Sequence, residues 1–372
     1  MIVKIQGVSE LQNQIYYDYD TDSVPLGQGG MGIVYPGRCF KQDNPNEYIP
    51  VAVKLITNTN REMIERAMRE SSIQIDHPNL LRMYGFIPNM EMDPFSHEMK
   101  PRYYIVMELL DGVSLESLLE GVFCARNGSD ISYARELYDL SMRNRKEFTL
   151  KMMRPILSGV SRLHEAGYIH RDIDPSNVMI TQDGGVKIID YGVCKPVSSA
   201  AGTVKLTMTG SIIGKVDYAA PELLSGDVQH HNFTTDVYAL GILAYQLYTG
   251  SLPFTGDNST VMKAHLSEDV PVGRIQDPVI RHVVEKAVSK AQSDRYQTVE
   301  QMWQDLYDDN LNDIRKSAQA DGQEQHGDSY ENIADTASGS RSAGRRARSR
   351  VALWIVSAVV GLGAGVVTGF MI

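Results

Sequence analysis

Leu26-Gly27-Gln28-Gly29-Gly30-Met31-Gly32-Ile33-Val34-Tyr35 fits the spacing G-x-G-x-x-G-x-V. Glycines so spaced let backbone N–H groups lie close over phosphate oxygens without side-chain clash. By itself such a loop is a weak signal, because ordinary turns and dinucleotide-binding folds use it too. Val51-Ala52-Val53-Lys54-Leu55-Ile56 then sets a single lysine inside an apolar run, where a lysine alone usually marks a solvated face. Two more polar clusters follow: His170-Arg171-Asp172-Ile173-Asp174-Pro175-Ser176-Asn177, and Asp190-Tyr191-Gly192.

These residues need elements to hold them. The glycine loop runs into Ile33-Val34-Tyr35, a β-prone stretch, which predicts a strand–loop–strand hairpin. Residues 51–56 and 103–108 read as further strands. Arg61–Gln74 is helix-compatible. Residues 149–166 carry apolar side chains at 153, 156, 157, 160 and 163, a helical face closed by Gly167, with Pro155 kinking it or marking its first turns. Residues 178–180 and 186–189, joined by Gln182-Asp183-Gly184-Gly185, predict a hairpin that ends on Asp190. Residues 89–102 and 121–147 read as polar surface insertions.

In this order and spacing the four motifs resemble the protein kinases, whose phosphoryl-transfer chemistry is a well-known template. The resemblance covers about residues 20–308. It implies an α+β, two-lobed fold, a β-rich N-lobe and a helical C-lobe with ATP and Mg2+ between them. Leu26, Gly27, Gly29, Gly32, Val34, Ala52 and Met179 would belong to the nucleotide site, with Ala52 in the adenine ceiling. Lys54 would pair the α- and β-phosphates, held by Glu70, with Glu65 as the alternative. Met107 would be the gatekeeper, and the backbones of Glu108 and Leu110 would bind the adenine edge. Asp172 would accept or orient the proton of the attacking hydroxyl. Asn177 and Asp190 would hold the metal, a set that suits magnesium because it takes few protein ligands beside phosphate and water. His170 would support the loop. Arg171 would face a phosphate on the activation segment, residues 193–222, where Ser198, Ser199, Thr203, Thr207, Thr209 and Ser211 are candidate sites, Thr207 and Thr209 first. Glu222 would pair with Arg295, and Asp236 would brace the catalytic loop from a helix running to Gly250.

Two linked positions depart from the family. Asp174 stands where serine/threonine kinases carry a lysine that contacts the transferring phosphate, and Lys215 stands where they carry a threonine. A lone Asp174 would repel the phosphate by about 4 kcal/mol at about 4 Å and an effective dielectric near 20, up to roughly three powers of ten in rate. The two changes look complementary: the Lys215 ammonium, neutralised by Asp174, would restore the cation.

The bulk properties bound the rest. The chain has 372 residues and a formal net charge of −10, which argues against general nucleic-acid binding. Cys39, Cys124 and Cys194 show no C-x-x-C spacing and suit a reducing compartment; Cys194 reads as a small buried apolar residue. Four regions are expected: an N-terminal extension over 1–19, the kinase domain over 20–308, a polar linker over 309–350 that ends in Arg341, Arg345, Arg346, Arg348 and Arg350, and an uncharged run over 351–372. As a helix those 22 residues would reach about 33 Å, enough for a hydrocarbon core of about 30 Å. The arginines would stay cytoplasmic, giving a single-pass membrane protein with a cytosolic catalytic part and, with nothing after Ile372, no domain beyond the membrane. Gly361, Gly365 and Gly369 form a small-residue stripe that would allow two such helices to pair into a homodimer. The expected function is phosphorylation of protein serine or threonine. The rivals are a catalytically weak pseudokinase acting as a membrane scaffold and a small-molecule kinase. The Ala220-Pro221-Glu222 segment speaks against the latter.

Overall fold

The computed structural model describes residues 1–92, 97–125, 128–191, 194–196, 215–226 and 230–307. Two compact units divide the chain, 1–322 and 323–372. The second lies outside the described residues, as do the 309–350 linker, the 351–372 run and Gly361, Gly365 and Gly369.

The first layer is antiparallel. It contains β1 (Ile2–Ile5), β2 (Ile15–Asp20), β3 (Gly27–Gln28), β4 (Gly32–Lys41), β5 (Asn44–Ile56), β6 (Met83–Met92) and β7 (Met99–Glu108). They run in the order β1-β2-β4-β5-β7-β6, with β3 paired to β4. Two short helices interrupt the strands, α1 (Val8–Gln12) and α2 (Arg61–Ser72). The period-two alternation of a strand sorts the side chains. Val51 and Val53 pack with Tyr17, Tyr104 and Val106 on one face. Ala52 and Ile56 join Ile105 and Met107 in the main core on the other. Lys54 shares parity with Ala52 and Ile56, so its stem leaves the strand on the main-core side.

The extension over residues 1–19 joins the same sheet. β1 pairs with β2 from Ile2↔Asp20 to Ile5↔Tyr17, and Ile5, Tyr17 and Tyr19 are buried in the sheet's outer core.

The second layer is mostly helical: β8 (Gly112–Ser114), α3 (Leu115–Leu119), α4 (Ser132–Arg143), α5 (Arg145–Glu165), β9 (Tyr168–Ile169), β10 (Val178–Thr181), β11 (Val186–Ile188), β12 (Lys195–Pro196), α6 (Pro221–Leu224), α7 (Phe233–Thr249), α8 (Asn258–Ser267), α9 (Pro278–Ala287) and α10 (Val299–Tyr307). β8, β10 and β11 form a small sheet, and β9 pairs with β12. α5 and α7 are the central pair. Met152, Ile156, Leu157, Val160 and Leu163 of α5 are fully buried, as are Val237, Leu240 and Leu243 of α7. Each such side chain contributes about 1.5–3 kcal/mol of burial. α7 ends where Gly250 takes φ +77°, the left-handed cap that a glycine supplies without strain.

Two expectations need correction. The 121–147 stretch is not a surface insertion, because α4 buries Ala134, Leu137 and Ser141, with Ile131 just before it. α5 begins four residues earlier than its apolar face suggests, with the Asn144 side chain accepting from the Glu147 N–H, and it runs through Pro155. Asn89–Met92 and Met99–Arg102 are the arms of the β6–β7 hairpin. Among the described residues no helix is long and apolar enough to cross a membrane.

Candidate active site

The glycine segment folds as the tight end of the β3–β4 hairpin. The Gly29 N–H donates to the Gly32 carbonyl at 2.9 Å and the Gly32 N–H returns to the Gly29 carbonyl at 3.2 Å. A Cβ on Gly32 would lie 2.0 Å from the Leu55 carbonyl oxygen, so packing on β5 demands a glycine there. A Cβ on Gly29 or Gly30 would meet nothing within 4 Å. Protein packing does not require glycine at those two positions; an open backbone facing a ligand would.

Beneath the hairpin, the Lys54 ammonium donates to both Glu70 oxygens, at 2.8 and 3.0 Å. Ala67, Glu70 and Ser71 form the buried face of α2, which the Asn60 side chain caps. Glu65 points outward and pairs with Arg61 instead. Ala52 stands opposite Met107 in the β5–β7 register. Leu26, Val34 and Leu110 are half-buried against the same core. Met179 lies on β10 between Ser114 and Lys187. The Glu108 side chain turns back to Lys187 at 3.0 Å, and its N–H is spent on the Arg82 carbonyl.

The catalytic loop hangs from Asp236. That carboxylate is fully buried and accepts from the His170 and Arg171 N–H groups at 2.8 and 2.7 Å and from His164 Nε2 at 2.7 Å. Burial would raise its pKa, yet the His164 bond and neighbouring positive charge hold it below the ordinary carboxylate value. Arg171 has φ +65°, a left-handed conformation costing on the order of 1 kcal/mol for such a residue. The two hydrogen bonds from Asp236 offset that cost. His164, stacked on Phe233 at 4.4 Å, was not anticipated as part of this brace.

Asp172 follows at once. His170 Nδ1 accepts from its N–H at 3.3 Å, and Asn177 Nδ2 donates to its carbonyl at 2.8 Å and its carboxylate at 3.1 Å. Burial first, then the like charge of Asp174, pushes the Asp172 carboxyl up to about 6. The Ile189 N–H bonds the Asn177 carbonyl at 2.9 Å, which ties the end of β11 to the loop. Asp190 follows with φ +62°. Its charge raises the pKa of both Asp172 and Glu70, so it lies within electrostatic reach of both. Asn177 and Asp190 carry side-chain oxygens of the kind a hard cation takes. Among the described residues no group of three or more His, Cys, Asp or Glu could hold a metal. Tyr191 is buried and its hydroxyl donates to the Leu81 carbonyl at 3.0 Å.

At the departure, Asp174 is 3% exposed. Its Oδ1 accepts from the Ser176 N–H at 2.6 Å and the Ser176 hydroxyl at 2.5 Å. Lys215 Nζ stands 3.5 Å from that oxygen and 2.5 Å from Glu116. Burial lowers the lysine's pKa, but the Glu116 bond and the Asp174 charge outweigh it and raise it overall. Glu116 was not anticipated. Arg295 meets Glu222 through two bonds, at 2.8 and 3.0 Å. Cys194 is buried, and burial drives its thiol well above the usual range, which makes it inert. Gly192 and the candidate phosphosites from Ser198 to Ser211 lie outside the described residues.

The family model described as "Protein kinase domain" matches residues 21–312. The chain is 31% identical over 311 residues to the serine/threonine-protein kinase PrkC of Bacillus subtilis (strain 168), covering 80% of this chain and 42% of the relative. It is 30% identical over 292 residues to the probable serine/threonine-protein kinase PknB of Lactococcus lactis, covering 76% of this chain and 40% of that one. With the serine/threonine-protein kinase PknA of Corynebacterium glutamicum it shares 32% identity over 275 residues, 72% of this chain and 50% of the relative. The chain thus spans half or less of the length of these curated relatives.

Proposed function

Because the chain belongs to the protein kinase domain family, we propose that it transfers the γ-phosphoryl group of ATP to serine or threonine residues of protein substrates. The observation that carries this is the convergence of Lys54–Glu70, Asp190 and Asp172–Asn177 on one region. Lys54, fixed by Glu70, binds the α- and β-phosphates. The Asp172 carboxylate takes the proton of the attacking hydroxyl, and its raised pKa makes it a better base than an ordinary aspartate. Asn177 and Asp190 would hold a magnesium ion, which would supply neutralisation of the phosphate charge. Lys215 takes the place of the missing loop lysine, with Asp174 as its counter-charge. Phosphorylation within residues 198–211, met by Arg171, tunes the activity. The uncharged run 351–372 tethers the enzyme to the cytosolic face of a membrane, and pairing through Gly361, Gly365 and Gly369 brings two copies together.

The presence of Asp174 supports one rival, a weak or inactive scaffold. Mass spectrometry of the protein after incubation with magnesium, ATP and a protein substrate separates the two. Phosphoserine or phosphothreonine should accumulate, and Asp172→Asn should slow it by about 10²–10⁴-fold. Equal incorporation by the variant, or none by the wild type, would reject the enzyme reading. Truncation after Arg350 should move the protein from the membrane to the soluble fraction.

A further inference from the structure

We propose that Glu116, on α3, is the positioning residue that holds the Lys215 ammonium at the mouth of the catalytic cleft. This rests on the reading of Lys215 as the cation beside the transferring phosphate.

Asp174 alone does not fix the lysine. Its Oδ1 already accepts two short bonds from Ser176, and the ammonium is 3.5 Å away, the outer edge of a hydrogen bond. The lysine side chain is 38% exposed on a four-carbon stem, so it has many competing rotamers. Glu116 supplies the tighter contact, 2.5 Å.

That carboxylate rests on a firm base. Leu115 and Leu118 of α3 are fully buried, and the Ser114 hydroxyl accepts from the Ser117 N–H at 3.0 Å to cap the turn. β8, just before α3, is paired to β10, whose Val178 follows Asn177. The ammonium therefore sits between two carboxylates, one fixed through α3 and one through the catalytic loop. The backbone of 108–110, which borders the adenine site, leads within a few residues into α3. One half-exposed ion pair thus joins the nucleotide side of the cleft to the 215–218 segment on the substrate side.

Because both partners are half exposed, each substitution should leave the fold intact and the effect should be modest. Removing Glu116 lets Lys215 collapse onto Asp174 or drift into solvent, and both lower the occupancy of the phosphate-side position.

The test is a double-mutant cycle on the full chain with Glu116→Gln, Lys215→Ala and both together, measuring kcat and the KM for ATP. Alongside it, mass spectrometry follows the rate at which an acylating reagent labels Lys215. Glu116→Gln should lower kcat about three- to fivefold, the size expected of a half-exposed ion pair, with the KM for ATP unchanged. It should have no further effect in the Lys215→Ala background, and Lys215 should label faster. Glu116→Asp should recover part of the loss.

An unchanged or raised kcat in Glu116→Gln, or an equal fall in both backgrounds, overturns the proposal. If Lys215→Ala keeps full kcat while Asp172→Asn loses it, the cation reading of Lys215 fails and takes this proposal with it. If the wild type has no turnover, the kinase reading fails, and labelling of Lys215 at the same rate in Glu116→Gln separately removes the ion pair.

Discussion

Two contacts between a carboxylate and a cation begin seven residues apart in the chain, at Lys215 and at Glu222. Arg295 is 2% exposed. Its five N–H donors go to both Glu222 oxygens and to the Ser289, Lys290 and Thr234 carbonyls. Burial works against the Glu222 charge, but Arg295 holds its pKa below the usual value. Lys215 is 38% exposed and shares one ammonium between Glu116 and Asp174. The first pair is saturated and can exchange nothing without leaving a buried charge bare. The second keeps solvent on one side, which would let it change partners if Lys215 meets a phosphate as proposed. On that reading the same chemistry serves as a fixed beam in one place and as a working part in the other, and burial makes the difference.

The contrast can be broken at either end. The largest effect belongs to Arg295→Ala, which strands the Glu222 carboxylate. Stability should fall by about 3–5 kcal/mol in urea unfolding, and a loss below about 1 kcal/mol would mean the buried pair is not a beam. Lys215→Ala comes next. Turnover should drop about tenfold, about 1.4 kcal/mol of barrier, with a smaller loss of stability than Arg295→Ala, because Asp174 keeps its two Ser176 bonds; equal loss of stability in the two variants would make the two pairs alike. The smallest effect is in the pH profile. Asp172 must be unprotonated to act as base, so kcat/KM should rise with pH through about 6. Asp174→Asn removes the like charge beside it and should move that limb to lower pH. A limb that stays in place would leave burial and the Asp190 charge as the causes of the raised pKa.

Much of the site is legible along the chain because its parts are local. The glycine hairpin, the Val-Ala-Val-Lys strand and the loop from His170 to Asn177 each hold their chemistry within ten residues. The lysine of residues 51–56 reads as a solvated face in isolation, and only its parity with Ala52 and Ile56 puts it into the cleft. Glu70 and Glu65 are harder to separate, since both lie on α2. What decides is which face of the helix turns inward toward Lys54, and Ala67 and Ser71 mark that face. Glu116 and His164 escape notice because nothing near them in sequence hints at a partner. Glu116 meets Lys215 across 99 positions and His164 meets Asp236 across 72, and only the folded chain closes those gaps. The misreading of residues 121–147 has a different cause. Ile131, Ala134, Leu137 and Ser141 do follow a helical period, but the charged residues between them mask it. Residues 1–19 precede the kinase motifs, and only the folded chain shows that Ile5, Tyr17 and Tyr19 fill the outer core of the first sheet.

Tyr191 carries a consequence for inhibitor discovery. Its ring is buried and its hydroxyl is bonded to the Leu81 carbonyl, a link that a phenylalanine in the same place would lack. Any compound that gains its pocket by evicting this ring must break the link and leave a carbonyl dry, at about 1–3 kcal/mol. Such compounds should bind this enzyme roughly tenfold or more weakly than its Tyr191→Phe variant, while molecules that occupy the nucleotide cleft with the ring in place should not distinguish the two.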